Sequence, residues 1–364
     1  MTSQDIIKLL DYTDARIMSE VFNDIIKENT QFRIDTQKLY EEYDGEVEIL
    51  NRKRPVGVPD YKANNKIPND FFSMIVDQGI TYTFGKPIVT ELGEVNEKTQ
   101  KEYKDFKHRN NLDDLDLETA LYTSICGTSG RLCYIDKQGF ERVTALAPWE
   151  VAYVYNRTNG ELEYAMVYYQ MEVIDFTKQG KQKTKVWFIE WYDKTDVRFY
   201  IEKTNEKNVF QLDESQEKPI MQHGFSEVPL VEVINNDAKK GDFVRVKELK
   251  NAYDRLVSDA QNELEDFRSA YMKFKGIIPD PKTMELAKQT GAFGSEDEDF
   301  DVDFLVKELN GEYLEKHKKT LVDNIFKFSK RVDMNDEKFS GATQSGENRK
   351  WKMLALENDA GMKE

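Results

Sequence analysis

Apolar and polar positions along the chain follow three regimes. The first ~70 residues repeat at helical spacing. SQDIIKLLDYTDARIMSEVFNDIIKEN opens on Ser3 as a cap, and DTQKLYEEYDGE predicts a second helix ending at Gly45. After the Pro/Gly-punctuated NRKRPVGVPD, the stretch NDFFSMIVDQGITYTFGKP predicts a helix capped by Asn69, with Phe72, Ile75, Val76 and Ile80 on one face. Residues 94–125 are helical again.

The period then becomes two. RLCYID, EVAYVYN, ELEYAMVYYQMEVIDF, KVWFIEWYD, VRFYIEK and NVFQLD are aromatic and β-branched runs separated by turn residues, which predicts an antiparallel meander. Asn159-Gly160 predicts a hairpin with a type I′ turn. Tyr153, Tyr155, Tyr164, Tyr168 and Tyr169 alternate along these strands; core and cross-strand packing is preferred over a base-stacking platform.

The third regime is the most regular. Val246, Leu249, Tyr253, Leu256, Ala260, Leu264, Phe267, Tyr271 and Phe274 step by three and four. They predict a helical rod from Val244 to Lys275, roughly 48 Å long. A shorter stretch, Leu305 to Val332, carries Leu314, Leu321 and Phe328 at heptad spacing. Both stripes must pack on something. Between them KGIIPDPKTMELAKQTGAFGSEDEDFDVD predicts a small insert. DEKFSGATQSGENRKW (336–351) then interrupts the helical pattern with a soft polar loop. The whole reads as an α+β chain.

Composition narrows the function. A length of 364 residues suggests two or more domains. The 68 acidic and 52 basic residues leave a net charge of −16, the opposite sign to a nucleic-acid clamp. No run of 18 apolar residues is present, so no membrane span is expected. The N-terminal stretch has no apolar core of a secretory signal, and a reducing cytoplasm fits. Cys126 and Cys133 flank GTSGRL with no histidine nearby, and are read as buried, inert thiols. Arg52, Lys53 and Arg54 offer a phosphate contact, but three charges before a proline are read as a solvated loop.

Catalytic patterns are missing. No GxxxxGK[ST], HExxH, GxSxG or kinase set occurs. The cluster Glu296, Asp297, Glu298, Asp299, Asp301, Asp303 lacks the sixth-position glycine and terminal glutamate of an EF-hand. A solvated loop or a docking patch for a basic partner is preferred there over metal. These observations favour an architectural protein over an enzyme.

Two stretches resemble the portal proteins of tailed bacteriophages, in their siphophage-type branch. YEEYDGEVEILNRK (Tyr40–Lys53) is similar to an early helix and its exit, and NNKIPNDFFSMIVDQGITYTFGKPI (Asn64–Ile88) to the family's most specific wording. The order of meander, long helix, insert, second helix and soft loop agrees along the whole chain. The resemblance implies a wing over residues 1–238, with helices to 125 and the meander at 130–235. It further implies a first stem helix at 239–275, a clip at 276–304, a second stem helix at 305–332, and a tunnel loop at 333–348. Residues 349–364 would begin a long wing helix, with the family's helical crown missing.

The function so implied is a homo-oligomeric ring, twelve subunits in the virion, at the portal vertex of the capsid. Double-stranded DNA is packaged and ejected through it. Implied partners are the terminase packaging motor, head–tail adaptors, and major capsid and scaffolding proteins, with no membrane and no cofactor. Assembly is expected in the host cytoplasm. Lys338, Phe339, Ser340, Gly341, Thr343, Gln344, Ser345 and Asn348 would face DNA, with Lys318 and Lys319 as stem-channel candidates. Pro279, Asp280, Pro281 and Glu296–Asp299 would dock partners. Leu249, Tyr253, Leu256, Leu264, Phe267, Leu314, Leu321 and Phe328 would pack the stem.

Physical chemistry fits such a conduit: Gly341 and Gly346 let the loop bend, and its Ser, Thr and Gln side chains are neutral. The rod at 244–275 is nearly balanced, with seven basic and six acidic residues, so it offers no basic stripe. Twelve copies would carry roughly −190 charges, which keeps DNA contacts weak and sequence-independent. Rival readings are a non-DNA oligomeric scaffold or adaptor, and a metal-dependent phage nuclease.

Overall fold

A computed structural model describes residues 14–54, 56–57, 60, 62–175, 182–267, 271–275, 280–290, 301–305, 311–334 and 346–363. It mixes helices with antiparallel sheet and divides into two units. The first takes Met1–Glu46, Asp70–Arg245 and Ser329–Glu364; the second takes Val47–Asn69 and Val246–Phe328. This division does not follow chain order. The segment 47–69 sits with the long helix rather than with its sequence neighbours.

In the first unit, α1 (Ala15–Tyr43) is one continuous helix where two were expected. No glycine or proline breaks the junction, and Asn29 and Thr30 bond back to Ile25 and Ile26 carbonyls instead of stopping the helix. Its cap is Asp14, which accepts from Arg16 N at 2.8 Å; Ser3 lies outside the described residues. Three further helices follow: α2 (Phe71–Phe84), α3 (Glu97–Arg109) and α4 (Leu112–Cys126). Asp70, not Asn69, caps α2.

The strands form two sheets rather than one meander. β1 (Thr128–Ile135) pairs with β2 (Glu141–Leu146) and with the late strand β9 (Leu230–Ile234), in the order β2-β1-β9. β3 (Val151–Tyr155), β4 (Leu162–Asp175), β5 (Gln182–Tyr192), β6 (Asp196–Glu202) and β7 (Phe210–Leu212) make the true meander, with β8 (Ile220–Gln222) on β6. The β3–β4 turn is not type I′. Only Gly160 has positive φ (74°), and its N–H closes a wider loop on Asn156 O at 2.9 Å. The Asn156 side chain accepts from Thr158 N at 2.7 Å, a local bond that outcompetes the two-residue turn.

Period-two alternation gives the larger sheet two apolar faces. Met166, Tyr168, Ile189, Trp191 and Tyr200 meet Met18, Val21, Phe22 and Ile25 of α1. Phe22 sits 4.8 Å from the Tyr200 ring and 5.6–5.7 Å from Phe210 and Trp191. The opposite face, with Val167, Tyr192 and Val197, packs on Leu132 and Leu230 of the smaller sheet. Tyrosines 164 and 168 are therefore packing residues: Tyr168 is buried and Tyr164 stacks on Trp191 at 5.2 Å. The cysteines are free thiols, and burial pushes Cys126 up to about 12.

In the second unit, α5 (Lys247–Phe267) is shorter than the predicted rod. Tyr271–Lys275 is a strand, β10, in antiparallel register with β11 (Asp301–Leu305), which sets Lys273 opposite Asp303 and Phe274 opposite Val302. The apolar step from Phe267 to Tyr271 fits either period; the partner strand decides it. Between β10 and β11 lies α6 (Pro281–Thr290), and α7 (Gly311–Ser329) starts six residues later than expected. The last helix, α8 (Gly346–Ala360), belongs to the first unit.

The core of the first unit makes a paired prediction. Phe22→Ala is expected to lose about 3–5 kcal/mol in a denaturant melt, as for other buried phenylalanines. The Tyr200 hydroxyl is buried with no hydrogen-bond partner among the described residues. Tyr200→Phe should therefore leave stability unchanged or raise it by about 1 kcal/mol. A loss in Tyr200→Phe comparable to that of Phe22→Ala would show that the hydroxyl is bonded after all.

Candidate functional site: the strapped helix and the base of the 335–345 segment

Two polar assemblies hold the parts to which function was assigned. The first lies in the second unit. There the extended stretch Asn65–Asn69 runs antiparallel to α5 and binds it rung by rung. Asn65 N donates to Asn262 Oδ1 (2.6 Å), Ile67 N to Ser258 Oγ (3.0 Å) and Asn69 N to Asp254 Oδ1 (3.1 Å). Asn65 and Asn69 add their own side-chain amides to the same acceptors, each at 2.9 Å. The geometry is a match of two repeats. Two extended residues advance about 6.6 Å and four helical residues about 6 Å, so alternate strap N–H groups meet every fourth helix side chain.

The ladder is buried. Lys250, Asn251, Asp254 and Ser258 are all withdrawn from solvent, and Asp254 Oδ2 faces Lys250 Nζ at 2.7 Å. That contact is an ion pair rather than an aligned hydrogen bond, since Oδ2 has no partner in bonding geometry. Arg52 pairs with Asp259 at 2.7 Å and Asn251 donates to Glu48 at 2.9 Å. Arg52, expected in a solvated loop, thus braces the strap.

The second assembly lies in the first unit and flanks 335–345. Arg331 is buried, and each nitrogen of its guanidinium donates a hydrogen bond. Nε donates to Ile75 O (2.9 Å), Nη1 to Asp359 Oδ2 (2.7 Å) and Nη2 to Asp242 Oδ2 (2.7 Å). Lys363 reaches Asp242 at 2.6 Å and Lys330 reaches Asp359 at 3.1 Å. Gln78 grips Val332 through both backbone groups at 2.9 Å each. Gly79 leaves room for this: a Cβ there would overlap the guanidinium. α8 packs on α2, with Leu356 and Ala360 buried. Residues on both sides of 335–345 are thereby fixed to one scaffold. Burial alone would raise the Asp359 carboxyl, but hydrogen bonds from Arg331 and Lys330 and the charge of Lys363 hold it below its ordinary range.

The sequence-predicted site residues fall unevenly. Lys338, Phe339, Ser340, Gly341, Thr343, Gln344 and Ser345 lie outside the described residues, as do Pro279 and Glu296–Asp299. Asn348 is in the first turn of α8, which starts at Gly346 rather than after 348. Asp280 is exposed and Pro281 opens α6, where a proline costs no hydrogen bond. Lys318 is half-buried beside Glu315 at 3.7 Å, and Lys319 is exposed.

Of the packing stripe, Tyr253 and Leu321 are buried, while Leu249, Leu256 and Leu314 are half-buried. Leu264 and Phe328 are 56% and 51% exposed, and Phe267 is the last residue of α5. The more fully buried stripe of α5 is the polar one, 250-254-258. Its four-residue spacing was present in the sequence, but polar residues on a helix are ordinarily read as its solvent face. Asp242, Arg331 and Asp359 carried no local signal at all.

Among the described residues no group of three His, Cys, Asp or Glu is placed to hold a metal ion. No described helix is long and apolar enough to cross a membrane. What the two assemblies supply is rigid positioning, the job of an architectural protein. The family model "Phage portal protein, SPP1 Gp6-like" matches residues 23–364, and the chain belongs to that family. It is similar to the portal protein of Bacillus phage SPP1, 25% identical over 295 residues (78% of this chain, 56% of the relative). It is also similar to the portal protein of Clostridium phage phiCD119, 30% identical over 221 residues (57% and 46%). The chain spans about half the length of these curated relatives.

Each assembly makes a prediction. Ser258→Ala leaves the Ile67 N–H without its acceptor, a loss of about 1–3 kcal/mol. Amide hydrogen exchange should speed up at Asn65, Ile67 and Asn69 while the sheets of the first unit keep their protection; uniform protection throughout would mean the ladder does not hold the strap. For the base, a carboxyl held below its unfolded value stabilises the fold above that value and loses the contribution as pH falls through the lowered one. Stability of the first unit should therefore be level near neutral and fall in the acid range below the ordinary carboxylate pKa. Asp359→Asn should flatten part of that acid slope and cost roughly 3 kcal/mol at neutral pH by leaving Arg331 half-paired. An unaltered acid slope would remove Asp359 from the account.

Proposed function

We propose that this chain forms the body of a portal ring, a homo-oligomer of twelve copies in the virion, through which double-stranded DNA enters and leaves the capsid. The observation that carries this reading is the match to the portal family over nearly the whole chain, together with the fixing of both flanks of 335–345. The first unit acts as the wing, α5 and α7 act as stem helices, and β10, α6 and β11 belong to the clip. The segment 335–345 is the tunnel loop. Its Gly341 and neutral hydroxyls slide along the passing polymer, while the clamp behind it keeps the displacement local.

The exposed Leu264 and the half-buried Leu249 and Leu256 then meet a neighbouring stem, since apolar stripes on long helices need a partner. The clip, with Asp280, Pro281 and the acids at 296–299, docks the terminase motor and later the head–tail adaptor. Capsid and scaffolding proteins meet the wing at one capsid vertex. DNA contacts are weak and sequence-independent, as the charge of −16 per copy requires.

Negative-stain microscopy of the purified protein should show rings with an axial hole; compact monomers at high concentration would overturn the reading. In a phage carrying a deletion of 340–345, rings should still assemble but DNA-filled particles should fall at least roughly tenfold. Rings with unchanged filling would reduce the segment to a connector and favour a scaffold that does not handle DNA.

A further inference from the structure

The two sheets of the first unit do not close on each other everywhere. Between them is a cleft of about 650 Å³, walled by Leu132 and Leu146 from the small sheet and by Val167, Val197 and Phe199 from the large one. That volume is in the range of small-molecule sites. A packing fault would be apolar throughout. Instead, Glu190 stands in the middle of the apolar face, in register between Val167 and Phe199. One of its oxygens accepts from Tyr192 OH at 2.6 Å. The other makes no hydrogen bond among the described residues.

A second carboxylate, Glu150, lines the same cleft from the turn before β3. It has no hydrogen bond or ion pair among the described residues. Tyr169 lines the cleft with both acids, and its phenol is raised first by burial, then by the charges of Glu190, Glu150 and Asp213. Burial raises both carboxyls as well; the Tyr192 hydrogen bond offsets this only in part for Glu190, and the charge of Arg33 only in part for Glu150. Two further titratable groups on the lining, Asp136 and His223, are already engaged. Asp136 is paired with Arg142 at 2.8 Å. His223 accepts from Phe225 N at Nδ1, so its proton is on Nε2, directed at Asp193 O at 3.0 Å. Cys133 is a half-buried thiol. An apolar slot with two incompletely compensated acids and flanking tyrosines has one kind of complement.

We propose that this cleft binds an amphipathic organic cation, an ammonium on an aliphatic stem, with its charge between Glu190 and Glu150 and its stem along Val167, Phe199 and Leu146. The site is distinct from the segment at 335–345 and does not depend on the portal reading. The ammonium supplies the missing counter-charge, and the stem replaces water on apolar walls. Anions and neutral alcohols of the same length lack one of these two contributions.

The test is titration of the full chain with hexylammonium, hexanol and hexanoate, followed by calorimetry and by methyl NMR at Met221 and Leu132. Hexylammonium should bind at least roughly tenfold more tightly than hexanol, the value of one charge-assisted contact, and hexanoate should not bind. Glu190→Gln should abolish the preference for the cation. Glu150→Gln should weaken it and serves as the second variant if Glu190→Gln does not fold. Tighter binding of hexane-1,6-diammonium would assign the site to a free amine, and tighter binding of N-acetyl-lysine methylamide to a lysine side chain of a partner. Equal binding of hexanol and hexylammonium, or both glutamine variants keeping the preference, would overturn the proposal.

Discussion

A guanidinium buried as deeply as that of Arg331 cannot be left uncompensated, and most of the first unit's late structure answers that demand. An unpaired charge in a protein interior costs several kcal/mol even after relaxation. Three groups meet the guanidinium here, from three places far apart in the chain: the Ile75 carbonyl of α2, Asp242 after β9, and Asp359 of α8. Each bond restricts the others. α8 has to dock where Asp359 reaches the guanidinium, and α2 can carry no side chain at Gly79. The constraint therefore sets the path of the chain before and after 335–345, independently of what that segment contains.

The strap on α5 solves a related problem by different means. An extended backbone has a donor at every residue except proline, here Pro68, and a helix offers none of its own backbone groups in return, so their contact has to be made through side chains. Asp254, Ser258 and Asn262 are short and polar, which brings the strap close and gives acceptors to the N–H groups of Asn65, Ile67 and Asn69. Longer or apolar residues at those positions would hold the strap away from the helix or strand its donors. The Lys250 ammonium then balances Asp254 within the same helix, at the i, i+4 spacing.

Periodicity made much of this legible. Apart from β2, which no alternating run marked, the strands at 131–213, the helices α2 and α7, and the end of α1 near Gly45 follow from apolar spacing and glycine alone. What sequence reasoning missed was non-local. Whether 271–275 is strand or helix depends on a partner thirty residues away at 301–305. The split into two sheets depends on β9 returning to β1 across the whole meander. The α5 ladder was hidden because burial of a polar stripe is decided by what lies on it. The Arg331 cluster joins residues up to 256 positions apart, which no local pattern encodes.

These ion pairs also bear on how an acidic chain would handle DNA. Several basic residues of the strapped helix and of the scaffold flanking 335–345 are committed to carboxylates within the fold: Lys250 to Asp254, Arg52 to Asp259, Lys330 and Arg331 to Asp359, and Lys363 to Asp242. A cation already paired at 2.6–3.1 Å would have to break that pair to reach a phosphate, and in a buried setting the exchange is unfavourable. The same side chains that make the scaffold stiff are thereby withheld from a polyanion. Under the portal reading, the frame and the low friction of the channel have one electrostatic origin. Any grip on DNA then has to come from residues outside these networks, on segments whose own contacts are weak enough to change as the polymer moves.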